Sequence, residues 1–193
     1  MQTHSRVYDT YAQAERAVKD LKSGGVASAD ISLVANKYVS EDYDDVDETS
    51  ATATGAGTGA VIGGGAGLLA GLGMLAIPGL GPVVAVGWLA STALGAVAGS
   101  AAGGIVGALV GAGTSEDDAH VYSEAIRRGG TLLTVRSDLP SDTIETILDG
   151  YHPIDPAVRR DEYAKTGWSK FDPEAPAYRP NQSEIEQIRR PYT

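Results

Sequence analysis

The chain has no cysteine among its 193 residues. Disulfide frameworks, thiolate metal sites and cysteine nucleophiles are therefore excluded. Aromatic residues are scarce: one phenylalanine and two tryptophans make a poor core inventory for a large globular domain. Basic residues are outnumbered, with 15 Lys and Arg against 25 Asp and Glu, a formal net charge of −10 at pH 7 and a pI near 4.6. Neutralising phosphates takes clustered Lys and Arg, so nucleic acid is not expected as a partner. The same balance argues against polybasic attachment to anionic lipid. Met1 to Tyr8 holds no basic region followed by a long apolar run. No secretory signal is read there, and the soluble parts are expected in the cytoplasm.

Charge is missing altogether from Thr49 through Ser115. The glycine runs in that stretch lack a following Gly-Lys-Ser or Gly-Lys-Thr. Gly79-Leu80-Gly81 would need a further glycine where Val84 stands, so phosphate-loop and dinucleotide fingerprints both fail. His4, His120 and His152 lie far apart, with no ligand at metal-site spacing. The acids Glu41, Asp42, Asp44, Asp45, Asp47 and Glu48 border the uncharged stretch on one side, and Glu116, Asp117 and Asp118 border it on the other. Oxygen ligands suit calcium or magnesium, but the first cluster has neither EF-hand spacing nor a turn glycine and reads as a solvated charge run. No catalytic residue, cofactor or metal is assigned, and the chain is read as not an enzyme.

What is present is a ruler of small residues. Gly55, Gly59, Gly63, Gly67 and Gly71 recur every fourth position, and the period resumes at Gly87, Ser91, Gly95, Gly99, Gly103, Gly107 and Gly111. Between the runs lies Pro78-Gly79-Leu80-Gly81-Pro82. Folded at a turn over 77–82, the runs come into register, with Gly71 facing Gly87 and Gly55 facing Gly103. Glycine costs a helix interior about 0.8–1 kcal/mol relative to alanine. Close helix packing through small-xxx-small faces offsets such a loss where the surroundings are apolar. The spacing predicts an antiparallel helical hairpin over 51–113, each arm reaching roughly 45 Å at the helical rise. A bilayer core needs only about 20 residues.

The tip, Ile77 to Pro82, has no polar side chain, which makes it easy to bury in lipid or in a partner. Trp88 marks a membrane interface or is simply a large packing residue. The stretch reads as a membrane insertion, spanning or re-entrant, or as the core of a soluble homo-oligomer. A flexible low-complexity insert is the third reading.

The flanking parts read as a head in two halves, 1–40 and 114–158, with an acidic linker over 41–50. Ser5 to Tyr8 is a short strand, and Asp9 or Thr10 caps a helix carrying Tyr11, Ala14, Ala17, Val18 and Leu21 before Gly24-Gly25. Ile31 to Val34 alternates as a strand. Ser115 caps a second helix with Ala119, Tyr122, Ala125 and Ile126 on one face. Thr131 to Val135 is the clearest strand. Ser141 and Asp142 open a helix with Ile144, Ile147 and Leu148 inward, and His152 to Ile154 forms at best an edge strand because of Pro153. With the insert and the helix after it set aside, the order β-α-β-β-α-β predicts a ferredoxin-like α+β head. From 159 to 193 the chain reads as an extended tail, in which Trp168, Phe171 and Tyr178 are candidates for docking on the head or on a neighbouring subunit.

Several of these residues resemble a family. Val7-Tyr8-Asp9-Thr10-Tyr11 with Ala14-Glu15, the Gly24-Gly25 stop, Asp30-Ile31-Ser32, and Tyr122 through Gly129-Gly130-Thr131-Leu132-Leu133-Thr134-Val135 are similar to bacterial general stress protein 17M-like and low-temperature-induced proteins. The resemblance covers roughly 5–35 and 115–155. It implies a stress-associated role and supplies no catalytic residue. The expectation is a non-enzymatic protein that self-associates through its glycine stripe. Its partners are the bacterial inner membrane and further copies of itself, with the head in the cytoplasm. The rival expectation is a soluble homo-oligomeric assembly or adaptor.

Overall fold

A central strand organises the architecture. In the computed structural model, which describes residues 1–36, 73–77, 80–88, 104–176 and 178, strand β5 (Thr131–Ser137) is buried over almost its whole length. It pairs antiparallel with β1 (Gln2–Tyr8) on one side and with β2 (Ile31–Asn36) on the other. Thr131 stands between Tyr8 and Ala35, and Val135 between His4 and Ile31. Strands β1 and β2 therefore run parallel to each other across a gap that β5 fills, and helix α1 (Tyr11–Ser23) makes the crossover such a pair requires. Beyond β2 lies a hairpin, β4 (Gly81–Val86) and then β3 (Gly73–Ile77), for a sheet order β1-β5-β2-β4-β3.

Helices cover both faces. Because side chains alternate along a strand, Leu132, Val34 and Val7 enter one core with Leu109, Tyr122 and Ile126. These come from α2 (Ile105–Gly111) and α3 (Glu116–Arg127). Leu133, Val135, Leu33 and Tyr8 enter the other, with Ala17, Val18 and Leu21 of α1 and Ile144 and Leu148 of α4 (Ser141–Asp149). The chain is thus a mixed α+β fold.

Local chemistry explains the helix limits. Thr10 and Gln13 form a reciprocal capping box at α1. Ser115 accepts from the Asp118 amide, with Glu116, Asp117 and Asp118 in the first turn of α3, where the helix dipole favours negative charge. Gly130 opens β5 against the Tyr8 carbonyl, which a Cβ there would approach to 3.1 Å.

Three sequence expectations are corrected. A helical hairpin over 51–113 is not what Gly73–Ile77 and Gly81–Val86 form: both are strands, paired antiparallel with Ile77 opposite Gly81. β-branched Val83, Val84 and Val86 favour a pleated strand. Gly87 has φ +94 and Gly104 φ +83, so no single helix runs from Pro82 to Gly113. Gly107 and Gly111 lie in α2. Gly55, Gly59, Gly63, Gly67, Gly71, Ser91, Gly95, Gly99, Gly103, Pro78, Gly79 and the whole 41–50 linker fall outside the described residues.

The final edge strand reduces to one bond, Ile154 N–H to the Val7 carbonyl at 2.7 Å, because Pro153 has no donor and His152 sits at φ 52. The tail does not extend directly from residue 159: Asp155 caps α5 (Pro156–Ala164), accepting from Ala157 and Val158 amides with Pro156 in the first turn.

Gly87 separates the two pictures of the insert by sign. A Cβ there would stand 2.3 Å from the Ile31 carbonyl oxygen, so Gly87→Ala is expected to cost more than about 3 kcal/mol, from left-handed backbone plus clash. Gly25→Ala, also at positive φ but facing open space, is expected to cost about 1–2 kcal/mol. In a continuous helix Gly87→Ala would instead stabilise by about 1 kcal/mol. Urea denaturation of the two variants decides.

Candidate functional site

The outer edge of β1 opens on a cleft of about 290 Å³. One wall is the α2–α3 connection, Ala112 to Ser115, with Asp118 and Tyr122 of α3; the other is Glu145 of α4. Val7 belongs to the α3-side core and Tyr8 to the α4-side core. Alternation then sets Thr3 and Ser5 toward α3, and His4 and Arg6 toward α4. The contacts agree: Arg6 Nε donates to Asp149 Oδ1 at 2.8 Å, and His4 Nδ1 lies 3.5 Å from Glu145. Ser5 bonds Thr134, its cross-strand neighbour, through their hydroxyls at 3.2 Å.

The charges in this cleft are largely held by one another. Arg6 also donates to the Ser5 carbonyl at 3.1 Å; burial works against its charge, and the Asp149 carboxylate more than restores it. Asp118 accepts from Arg160 of α5 at 2.9 Å. Burial pushes the Tyr122 phenol up to about 12, with Arg6 pulling back and Asp118, Asp155 and Asp149 adding to the rise. Tyr122 is therefore a neutral hydrogen-bonding group and no base at ordinary pH. Among the described residues no cluster of His, Asp and Glu is arranged to hold a metal ion.

A second polar node lies at the other end of α3. Glu124 is fully buried, yet its carboxylate is held by Arg127 Nη1 at 3.1 Å and Arg128 Nε at 2.6 Å. Arg127 also donates to the Pro176 carbonyl at 3.3 Å, and Arg128 lies 4.2 Å over the Tyr163 ring. Trp168 meets Tyr163 edge-on at 5.5 Å between centroids. Phe171 is buried in the α3-side core, and Tyr178 is half-buried. Phe171 thus lies in the head's core, whereas Trp168 lies against Tyr163 of α5.

The expected turn residues Gly81 and Pro82 begin β4, and the turn's Leu80 is fully buried in the α3-side core. Leu80 of the apolar tip is thus part of the head's own core. Trp88 packs on the same core with the Arg136 guanidinium 4.4 Å over its ring. The β1 cleft was not anticipated. Its parts lie more than a hundred positions apart, and the available signal was only His4 and Arg6 alternating with small hydroxyls in a strand. The chain matches no protein-family profile, no curated protein and no solved structure.

Two measurements follow from these groups. Burial raises both the Tyr122 and the Tyr8 phenols above the ordinary tyrosine value of 10.0. Their contribution to stability is therefore fully present below pH 10 and is lost as pH rises from there toward about 12. Each costs about 1.4 kcal/mol per pH unit in that window. The urea midpoint should hold steady to about pH 9 and then fall, less steeply in Tyr122→Phe; a flat midpoint through about pH 11 contradicts the burial. Glu124→Leu leaves Arg127 and Arg128, whose side chains are 20% and 34% exposed, in reach of water. The expected loss is about 1–3 kcal/mol, with faster tryptic cleavage at Lys165 and Lys170 as the tail loosens.

Proposed function

We propose that this chain is a non-enzymatic, stress-associated assembly protein. Its α+β head, ferredoxin-like in the order β1-α1-β2 with β5 between, presents glycine-rich segments through which copies self-associate at the bacterial inner membrane. The single observation that carries this reading is where the uncharged stretch touches the head. The chain leaves β2 at Asn36, rejoins the sheet as β3 and β4, and returns to the head's core as α2. The glycine-rich sequence is therefore tethered to the head at its middle as well as at its ends.

That tethering favours self-association over a spanning hairpin. Residues 89–103 number 15, fewer than the roughly 20 a bilayer core requires, and both their flanks belong to the head. The turn that a spanning hairpin would carry to its far end is the one next to buried Leu80. Among the described residues no helix is long and apolar enough to cross a membrane. Lipid contact on this reading is a surface or re-entrant association. The stripe of small residues, Gly55 to Gly71 and Ser91 to Gly103, supplies the close contacts between copies. The non-enzymatic part rests on the cleft, where Arg6 and Asp118 are held in ion pairs and Tyr122 keeps its proton.

Light scattering and carbonate-washed membrane fractionation of the intact chain and a Gly63→Leu/Gly95→Leu variant test this. The intact chain is expected to be a multimer that carbonate releases from membranes, and the variant a smaller species with an unchanged head. Equal size in both overturns self-association through the stripe. Retention after carbonate with release only by detergent restores the spanning reading.

A further inference from the structure

The β1 edge is only partly paired. Ile154 takes the outward carbonyl of Val7, after which the chain turns away into α5. In an antiparallel strand alternate residues direct their amide and carbonyl groups to the same side, so Ser5 and Thr3 face outward as Val7 does. Arg6 holds the Ser5 carbonyl. The Ser5 amide and both Thr3 backbone groups have no backbone partner among the described residues. They open on the 290 Å³ cleft. His4 lines it too: its side chain is only 9% exposed, and its buried Nε2 has no hydrogen-bond partner among the described residues. A strand edge with unmet backbone groups, a cavity beside it and, on the lining residue His4, a buried nitrogen without a partner among the described residues together describe a place for an incoming extended chain.

We propose that β1 receives an extended basic peptide as an added strand, pairing with Thr3 and Ser5. Charge decides the occupant. Glu116, Asp117 and Asp118 stand in the first turn of α3, on one side of the edge, and Glu145 and Asp149 lie on α4, on the other. The nearby cations, Arg6 and Arg160, are already engaged by Asp149 and Asp118. An added strand sends successive side chains to opposite faces, so Lys or Arg finds a carboxylate on either face. A second copy of β1 would bring the same acids against these, and like charges across an interface oppose pairing. The cleft is lined at Ala112 to Ser115 by the end of the uncharged stretch but by none of Gly55 to Gly71 or Ser91 to Gly103, so peptide binding and self-association through that stripe are tested separately.

The probe is a fluorescein-labelled octapeptide of alternating lysine and threonine, followed by anisotropy with the full chain. Controls are a glutamate–threonine octapeptide and a lysine peptide N-methylated at alternate amides. The lysine peptide is expected to bind, the glutamate peptide not to bind, and N-methylation to weaken binding about tenfold by removing backbone donors. Thr3→Pro removes an outward amide that β5 does not use and should weaken binding about tenfold. Glu145→Gln should weaken it severalfold and flatten its salt dependence. Equal binding of the N-methylated peptide means charge attraction without strand addition and overturns the proposal. So does a dimer of the wild type, lost in Thr3→Pro, with no peptide binding.

Discussion

The structure depends on β5 lying between β1 and β2. Neither neighbour pairs with the other, and each supplies only one half of the ladder that satisfies β5's amide and carbonyl groups. Unpaired backbone groups in a buried strand are costly, so the first and second halves of the chain must meet for either to be complete. The same strand divides the interior: Leu132 and Leu133, both fully buried, point to opposite faces. Each such leucine contributes about 1.5–3 kcal/mol through burial. Closing the long connection between β2 and β5 is tolerable because loop entropy grows only logarithmically with length, at about 0.6 kcal/mol per doubling.

From that constraint follows the placement of everything else. Helices α1 and α4 close one face, with Tyr8 donating its hydroxyl to the Leu148 carbonyl at 2.9 Å. Helices α2 and α3 close the other, and Phe171 from the tail completes it. Burying Glu124 beneath the tail requires the two arginines that hold it, and those arginines in turn reach Tyr163 and Pro176. One buried carboxylate thereby couples helix α3 to a segment some fifty positions later.

The two ends of the sheet are unlike. At β1 the edge is lined by charges and hydroxyls and partly capped by Arg6, the kind of guarding that keeps an edge from pairing indiscriminately. At the other end, β3 and β4 come from the stretch that has no charge between Thr49 and Ser115. On the two proposals made above, the first edge would take an outside chain and the second end would lie near contacts between like copies.

Much of the head was legible in the residues. Asp9 or Thr10 as a cap, Ser115 with its acidic first turn, Gly24-Gly25 and Gly129-Gly130 are local signals, and α1, α3, α4, β2 and β5 lie where such signals put them. Chemistry confined to a few neighbouring residues can be read in order along a chain. The hairpin at 73–86 was misread because a four-residue glycine period and a run of valines make opposing local claims, and pairing with β2, a long-range interaction, decided for the strand. The tail was misread because α5 depends on Asp155 and Pro156 for its start but on Arg128 and Arg159 around Tyr163 for its packing. The β1 cleft lay beyond any local reading, since His4, Ser115, Tyr122 and Glu145 become neighbours only through the β1–β5 ladder and the helices packed on it. By itself the sequence determined element types, caps, composition and the absence of thiol chemistry. The tertiary structure alone decided which edge stayed open, which carboxylate was buried and where the uncharged stretch was tied down, because those are properties of contacts between distant segments.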